Sequence, residues 1–147
     1  MNEAVIDASV ALRWIFEDEE DRAGAIRVRD ALVDGRLLVT VPPTFLPEVA
    51  GVLVRAVRAG RLHPDKARFA LGALERVAID DPEPHGFAVT AMAVALDSGL
   101  RLQDATYLET ARRVSAPLIS ADHRQVSAAR SSGIGAVVLA DLPAQEL

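Results

Sequence analysis

The sequence contains no cysteine, and its three histidines are spread along the chain. The absence of cysteine excludes disulfide bonds and metal sites built from thiolates. A metal ion would therefore need carboxylate or histidine ligands, and carboxylates are the more numerous, with 21 aspartate and glutamate residues. If the protein binds a metal ion, we expect carboxylate oxygens to hold it.

The sequence also has no long apolar run. A membrane-spanning helix needs about 20 consecutive apolar residues, and no segment approaches that length. The first apolar segment, residues 4–6, is short and is not preceded by the basic region of a secretory signal peptide. These absences predict a cytoplasmic protein without a membrane partner.

The size and composition are those of a compact domain. The chain has 147 residues, of which 50% are hydrophobic and 25% are charged. A chain of this length buries enough surface to form one core, and this balance is typical of globular proteins. We therefore predict a single globular domain covering residues 1–147.

The formal net charge of −5 argues at first against a nucleic-acid partner, because phosphate contacts are normally made by a basic surface. The argument weakens if several acidic residues bind a metal ion, since the cation offsets their charge. One window of the chain is also basic, and it is either a patch that faces phosphates or the solvated face of a helix. It contains Arg55, Arg58, Arg61, Lys66 and Arg68.

Short apolar segments alternate with longer amphipathic segments along the whole chain. This alternation predicts an α/β fold with a parallel sheet covered by helices on both faces. A turn is predicted at residues 81–84, and Ser9 is predicted to cap the first helix. The predicted strands are residues 4–6, 37–41, 79–80, 117–120 and 136–139, and the predicted helices are residues 10–16, 25–33, 44–59, 64–77, 87–96, 104–114 and 122–131.

Acidic residues occupy the positions where ligand sites form in such folds. In an α/β sheet these sites lie at the carboxyl ends of the strands and at the helix starts that follow. Asp7 ends the first strand, Asp122 follows the fourth, and Asp104 opens a helix. Glu48 lies in the first turns of another helix, at the margin of its apolar stripe.

These acids have two interpretations. Asp104 and Asp122 could simply cap helices, and Asp122 with Gln125 three residues later resembles a capping box. If the four acids converge, they form a site of hard oxygen ligands suited to Mg²⁺ or Mn²⁺. Such ions activate water and stabilise the leaving oxygen in phosphodiester cleavage.

Four segments of the chain contain or flank these acids. They are residues 5–14 (VIDASVALRW), Pro42-Pro43 followed by Glu48, residues 103–111 (QDATYLETA) and residues 118–122 (LISAD). In sequence and in order these segments resemble the motifs of the PIN-domain family, and in particular of the VapC-type toxins. The resemblance spans residues 4 to about 139, although Gln103 and His123 differ from the residues common at those positions.

This resemblance implies a fold and a role for each acid. The implied fold is a three-layer α/β/α sandwich with a central parallel sheet of about five strands. Asp7 and Asp104 would be direct metal ligands, and Asp122 would complete the site or hold a second ion. Glu48 would act through metal-bound water or position that water, and Ser120 would hydrogen-bond a carboxylate or water.

The implied function is that of an endoribonuclease dependent on Mg²⁺ or Mn²⁺, which serves as the toxin of a toxin–antitoxin pair. Single-stranded or loop RNA is the expected substrate, with 3′-hydroxyl and 5′-phosphate products. A cognate antitoxin would neutralise the enzyme, with an arginine among the carboxylates. The resemblance also implies a homodimer, for which Phe69, Leu71 and Leu74 are candidate contacts, although core packing is favoured for most of them.

Two other functions compete with this one. A phosphatase or receiver domain would also use an aspartate after a parallel strand. However, Asp7 is followed by Ala8-Ser9 rather than by a second acid, and Lys66 is the single lysine. A noncatalytic α/β interaction module would use its acids only to cap helices, and it would bind no divalent metal ion.

Overall fold

The computed structural model describes residues 1–80, 84–143, 145 and 147, so most of the predicted turn at 81–84 lies outside the described residues. Each predicted strand and helix has a counterpart, in the predicted order. The strands are β1 (Glu3–Ile6), β2 (Leu38–Val41), β3 (Ile79–Asp80), β4 (Leu118–Ser120) and β5 (Ala136–Val138). The helices are α1 (Ala8–Ile15), α2 (Arg22–Val33), α3 (Phe45–Arg58), α4 (Pro64–Val77), α5 (Phe87–Ser98), α6 (Leu102–Val114) and α7 (His123–Ser131), and a 3-10 turn covers Leu139–Asp141.

The five strands form one parallel sheet in the order β3-β2-β1-β4-β5. The chain first moves from β1 through β2 to β3, then crosses back over β1 to form β4 and β5. Right-handed crossovers that run in opposite directions place their helices on opposite faces of a sheet. Helices α1–α4 therefore cover one face and α5–α7 the other, which confirms the predicted three-layer fold.

The central strands form the middle of the hydrophobic core. Ala4, Val5 and Ile6 of β1 are buried, and so are Leu118 and Ile119 of the neighbouring β4. A strand covered by helices on both faces has no solvated side, which explains why these segments are continuously apolar. The direction of the crossovers reverses between β1 and β4, and ligands of open α/β sheets bind beside the carboxyl ends at such a point.

The prediction that Ser9 caps the first helix is wrong. Helix α1 begins at Ala8, and Asp7 occupies the N-cap position with extended backbone angles. The chain therefore turns from β1 into α1 without an intervening loop, which puts Ser9 inside the first helical turn. The last strand also ends one residue earlier than predicted, because Leu139 begins the 3-10 turn.

The three candidate dimer residues on α4 differ in burial. Leu74 belongs to the core, as expected, and Leu71 is partly buried against it. Phe69 is 73% exposed. Core packing is therefore confirmed for two of the three residues, in agreement with the prediction for most of them. Within the residues that the structure describes, no helix is long and apolar enough to cross a membrane.

Candidate active site

Asp7 lies at the junction of β1 and α1, with only 8% of its surface exposed. Its carboxylate accepts hydrogen bonds from the hydroxyls of Ser9 and Ser120. Burial raises the pKa of Asp7 to about 7, and the charges of Glu48 and Asp104 contribute to the rise, while the two hydroxyls oppose it. The Asp7 carboxylate is therefore destabilised in its ionised form unless a positive charge comes close.

The two serines join the ends of β1 and β4. Ser120 is fully buried, and its hydroxyl also accepts a 3.0 Å hydrogen bond from the backbone N–H of Asp122. The Ser9 hydroxyl accepts a 3.1 Å hydrogen bond from the backbone N–H of Ala121. Both hydroxyls therefore fix Asp7 relative to the loop that follows β4.

Glu48 occupies the first turn of α3 and is half-buried. Its Oε2 accepts a 2.6 Å hydrogen bond from the hydroxyl of Tyr107 on α6. Burial and the charge of Asp104 raise the pKa of Glu48, whereas Tyr107 and the side chain of Gln103 lower it by hydrogen bonding, and nearby Arg101 lowers it by its charge. Glu48 is therefore held by groups of the opposite helical layer.

Tyr107 is the single tyrosine of the chain and is fully buried. Burial raises the pKa of its hydroxyl, and the adjacent Glu48 charge raises it further, although a backbone hydrogen bond at Ala8 lowers it. The hydroxyl therefore stays protonated and donates to Glu48. In this way Tyr107 connects the start of α1, the first turn of α3 and the middle of α6.

Asp104 is the third residue of α6, and its side chain is 17% exposed. It does not cap the helix, whose N-cap is Arg101, so the capping interpretation is wrong for Asp104. Its Oδ2 lies 3.3 Å from the Nε of Arg101, and its backbone carbonyl accepts a 3.2 Å hydrogen bond from the side chain of Gln125. Because the Asp104 charge raises the pKa of both Asp7 and Glu48, these three carboxylates form one interacting group.

Asp122 is the N-cap of α7, as its capping interpretation predicts. Its Oδ1 accepts hydrogen bonds from the backbone N–H groups of Arg124 at 2.8 Å and Gln125 at 3.4 Å. The second half of the predicted capping box is wrong, because the buried Gln125 side chain bonds to Asp104 instead. Asp122 is exposed at the rim of the site and is linked to Asp7 through Ser120.

The chemistry of the three interacting carboxylates fits a hard divalent cation. Their oxygens are the ligands that Mg²⁺ and Mn²⁺ prefer. A cation would offset the burial of the Asp7 charge, which is the main cause of its raised pKa, and the smaller repulsion by Glu48 and Asp104. Among the described residues, no three acidic or histidine side chains converge so as to hold a metal ion by themselves. Mg²⁺ is usually held by one or two carboxylates, with water and substrate phosphates as further ligands, so the site fits such an open arrangement.

Two residues that hold the acids, Tyr107 and Ser9, are not among the predicted site residues. Tyr107 stands three residues after Asp104, which places both on one face of α6. Ser9 stands two residues after Asp7, where the sequence favours a helix cap instead. The spacing of Tyr107 from Asp104 is the signal that could have found it, because a lone tyrosine in an apolar stripe usually needs a partner for its hydroxyl.

The model of the PIN domain family matches residues 4–131 of this chain. The chain belongs to the PIN-domain family. The predicted membership is thereby confirmed, and the match includes all four acids. No curated protein sequence shows significant similarity to this PIN domain.

Solved structures of similar fold extend over nearly the whole chain. PAE2754 from Pyrobaculum aerophilum is 20% identical with a TM-score of 0.71, and the alignment covers 94% of this chain and 90% of that one. VapC20 of Mycobacterium tuberculosis, described as a sarcin-ricin loop cleaving toxin, is 15% identical with a TM-score of 0.64, with coverage of 89% and 95%. A toxin–antitoxin complex from Klebsiella pneumoniae is 19% identical with a TM-score of 0.61, with coverage of 95% and 99%. At these identities the likeness establishes a shared fold.

Proposed function

We propose that this PIN domain is an endoribonuclease that uses Mg²⁺ or Mn²⁺ and acts as the toxin of a toxin–antitoxin pair. The observation that carries the proposal is the mutual interaction of Asp7, Glu48 and Asp104 beside the reversal point of the sheet. Burying acids close together costs free energy unless a cation offsets their charge. A bound metal ion would offset this cost, and this supports a metal-dependent reaction at the site.

Asp7 and Asp104 would hold the ion, and Asp122 would complete the site from the rim. When bound, the ion supplies activation of water and neutralisation of negative charge at the reacting phosphate. Ser9 and Ser120 orient the Asp7 carboxylate through their hydrogen bonds.

Glu48, held by Tyr107, would orient the attacking water and accept a proton from it. The water oxygen forms a bond to phosphorus while the bond from phosphorus to the 3′-oxygen breaks. The 3′-oxygen takes up a proton from solvent water and Glu48 releases its proton to solvent, so the products are a 3′-hydroxyl and a 5′-phosphate. The recessed position of Asp7 favours single-stranded or loop RNA, because a phosphate within a regular duplex would not reach it easily.

The proposed partner is a cognate antitoxin that places an arginine among the carboxylates. Arg101 of this chain already pairs with Asp104 at 3.3 Å, which supports the idea that a guanidinium fits at the edge of the site. The likeness to a toxin–antitoxin complex from Klebsiella pneumoniae also supports an antitoxin partner. A homodimer and a cytoplasmic location complete the proposal.

The first test is RNA cleavage by metal-stripped protein with and without added Mn²⁺ or Mg²⁺. The substrate is labelled structured RNA, and the variants are Asp7→Asn and Asp104→Asn. Asp34→Asn is the matched control, since Asp34 is an exposed acid at the carboxyl end of α2. We expect metal-dependent cleavage by the wild type and the control, and loss of cleavage in both site variants.

Two results would contradict the proposal. Cyclic phosphate ends would show that a ribose hydroxyl, rather than water, attacks phosphorus. Intact RNA across many substrates, together with no metal binding, would favour the noncatalytic interaction module.

A further inference from the structure

The basic side chains of residues 55–68 differ in whether they contact another group of the chain. Arg61 pairs with Asp18 at 3.7 Å and lies over the Phe16 ring, and Arg68 pairs with Asp65 at 3.0 Å. Among the arginines, all of which lie in the described part of the chain, those without a hydrogen bond, ion pair or ring contact are Arg55, Arg58 and Arg76.

Arg55 shares a helix face with Glu48. The two residues are seven positions apart on α3, which is about two helical turns or about 10.5 Å along the axis. Gly51 lies between them on this face, and a Cβ atom added there would be 3.8 Å from Nη1 of Arg55. The Arg55 guanidinium therefore lies back over Gly51, in the direction of the acidic site.

Arg55 lines a groove beside the carboxyl-terminal parts of α1 and α3. The groove has a volume of about 250 Å³, and its lining includes Leu12 and Val52 as well as the charged Glu19 and Arg61. The same two helices carry Asp7 at the start of α1 and Glu48 in the first turn of α3. Arg55 therefore places a positive charge, which has no partner among the described residues, on the helix that carries Glu48 and beside the helix that follows Asp7.

We propose that Arg55 binds a phosphate of the RNA chain a few nucleotides from the bond that is cut. This inference rests on the proposed ribonuclease function and assigns a substrate contact to it. The chain carries a formal net charge of −5, so a cation outside the metal site favours RNA binding. A free guanidinium suits this role because it binds a phosphate through two parallel hydrogen bonds.

A simpler role for Arg55 is to stabilise the carboxyl end of α3, where cations interact favourably with the helix dipole. Arg58 shares that role, because it lies in the same last turn. However, Arg58 lines a different groove, between α3 and α4, together with Pro64 and Leu71. Arg58→Gln is therefore the matched control, with the same charge change on the same helix.

The test measures RNA binding separately from cleavage. The probe is a short fluorescein-labelled single-stranded RNA, and its Kd is measured by anisotropy with Asp7→Asn protein carrying either Arg55→Gln or Arg58→Gln. We expect Arg55→Gln to raise the Kd about 3- to 10-fold and to reduce the slope of log Kd against log salt by about 0.7, the value for one phosphate contact to a single strand. In protein with Asp7 intact, Arg55→Gln should raise KM with little change in kcat.

The outcomes separate this inference from the proposed function. If RNA is cleaved and the two arginine variants bind it equally, the assignment of Arg55 is overturned while the ribonuclease proposal stands. If RNA is bound and Arg55→Gln alone weakens binding, but no protein cleaves it, the phosphate contact is supported and the nuclease proposal fails. If no variant binds or cleaves RNA, both are overturned.

Discussion

Asp7 combines burial with two neighbouring carboxylates, and this has a consequence for stability. Its pKa in the folded protein is about 7, above the ordinary value of 3.8. Between these values the folded protein keeps a proton that the unfolded chain loses. The free energy of unfolding of the metal-free protein therefore falls as pH rises from about 4 to about 7, and Asp7 causes no further loss above that range.

Replacing Asp7 by asparagine should remove this pH dependence. We expect the Tm of metal-free Asp7→Asn to exceed that of the wild type at about pH 8, and the difference to shrink towards about pH 4. The expected difference at the higher pH is at least about 2–4 °C, which corresponds to about 1 kcal/mol in a domain of this size. Thermal denaturation across this pH range measures it, and a difference independent of pH would show that ionisation of Asp7 is not its cause.

The Tyr107→Phe variant tests whether the hydroxyl of Tyr107 positions Glu48, separately from the contribution of its ring to the folded core. Phenylalanine keeps the ring in the core but removes the 2.6 Å hydrogen bond to Glu48. We expect kcat for RNA cleavage to fall about tenfold or more, with KM nearly unchanged, because partners that orient site residues typically contribute this much. The loss of unfolding free energy should stay near 1–3 kcal/mol, the cost of an unsatisfied buried group. Full activity of Tyr107→Phe would rule out a positioning role.

The residues of the site could be predicted from the sequence to different degrees. Asp7 and Asp122 could be found because Asp7 directly follows β1 and Asp122 stands two residues after β4, and the ends of parallel strands meet at one edge of the sheet. The hydrogen bond between Tyr107 on α6 and Glu48 on α3 joins two residues that are 59 positions apart in sequence. No local pattern encodes such a contact, because it depends on how two helical layers meet above the sheet.

At the scale of single helices, Asp122 has a structural role that can be separated from a chemical one. Asparagine caps helices as well as aspartate does, whereas alanine costs about 0.5–2 kcal/mol. We expect Asp122→Asn to keep wild-type stability and Asp122→Ala to lose stability, while both lose cleavage activity by about tenfold or more. Urea denaturation and RNA cleavage of the same samples test this. Wild-type cleavage by Asp122→Asn would show that Asp122 is only a cap.

The contact between α2 and the 3-10 turn depends on a glycine. A Cβ atom at Gly24 would lie 2.6 Å from the carbonyl oxygen of Leu139, which is too close for any real contact. Gly24→Ala should therefore lower the free energy of unfolding by about 1–3 kcal/mol. Gly72→Ala on α4 is the matched control, because nothing lies within 4 Å of its added Cβ.

The control substitution, Gly72→Ala, should raise the free energy of unfolding. Alanine is favoured over glycine inside a helix by about 0.5–1 kcal/mol, so Gly72→Ala should stabilise the protein. Urea denaturation of both variants measures the two effects. Equal effects of the two substitutions would mean that the contact with Leu139 does not limit the packing of α2.

The periodicity of the sequence predicts each helix but not the exact start of every one. Helix α6 begins at Leu102, two residues before the predicted Asp104, and α1 begins at Ala8. Asp104 and Ser9 are residue types that often cap helices, but in both helices the backbone becomes helical before these residues. A cap is defined by backbone angles that the residue type alone does not determine.

At the scale of the whole molecule, the neighbouring charges of Asp7, Glu48 and Asp104 lower the free energy of unfolding of the metal-free protein. Binding of Mn²⁺ or Mg²⁺ at about 100 times its Kd should add about 2.7 kcal/mol to the free energy of unfolding, or about 5–10 °C in Tm. We expect this rise in the wild type and its loss in Asp104→Asn. Differential scanning fluorimetry measures both proteins, and an equal rise in the two would place the ion elsewhere.

The parallel three-layer class could be predicted because apolar strands and amphipathic helices alternate along the chain. The strand order could not be read from that alternation, because local periodicity does not say which strands are neighbours. The order also decides that Asp7 and Asp122 approach each other. That residues 1–147 form a single domain remains a prediction, although one hydrophobic cluster includes residues of β1 and Leu139 near the other end.

The strand order also controls when the site can exist during synthesis. Strand β1 leaves the ribosome first, but its neighbour β4 begins only at Leu118, and the helix that carries Asp104 and Tyr107 comes shortly before it. A nascent chain with β1, β2 and β3 therefore exposes Asp7 without Ser120 to hold it. If the protein cleaves RNA, a chain that ends before Leu118 lacks both Ser120 and Asp122, and we expect it to be inactive.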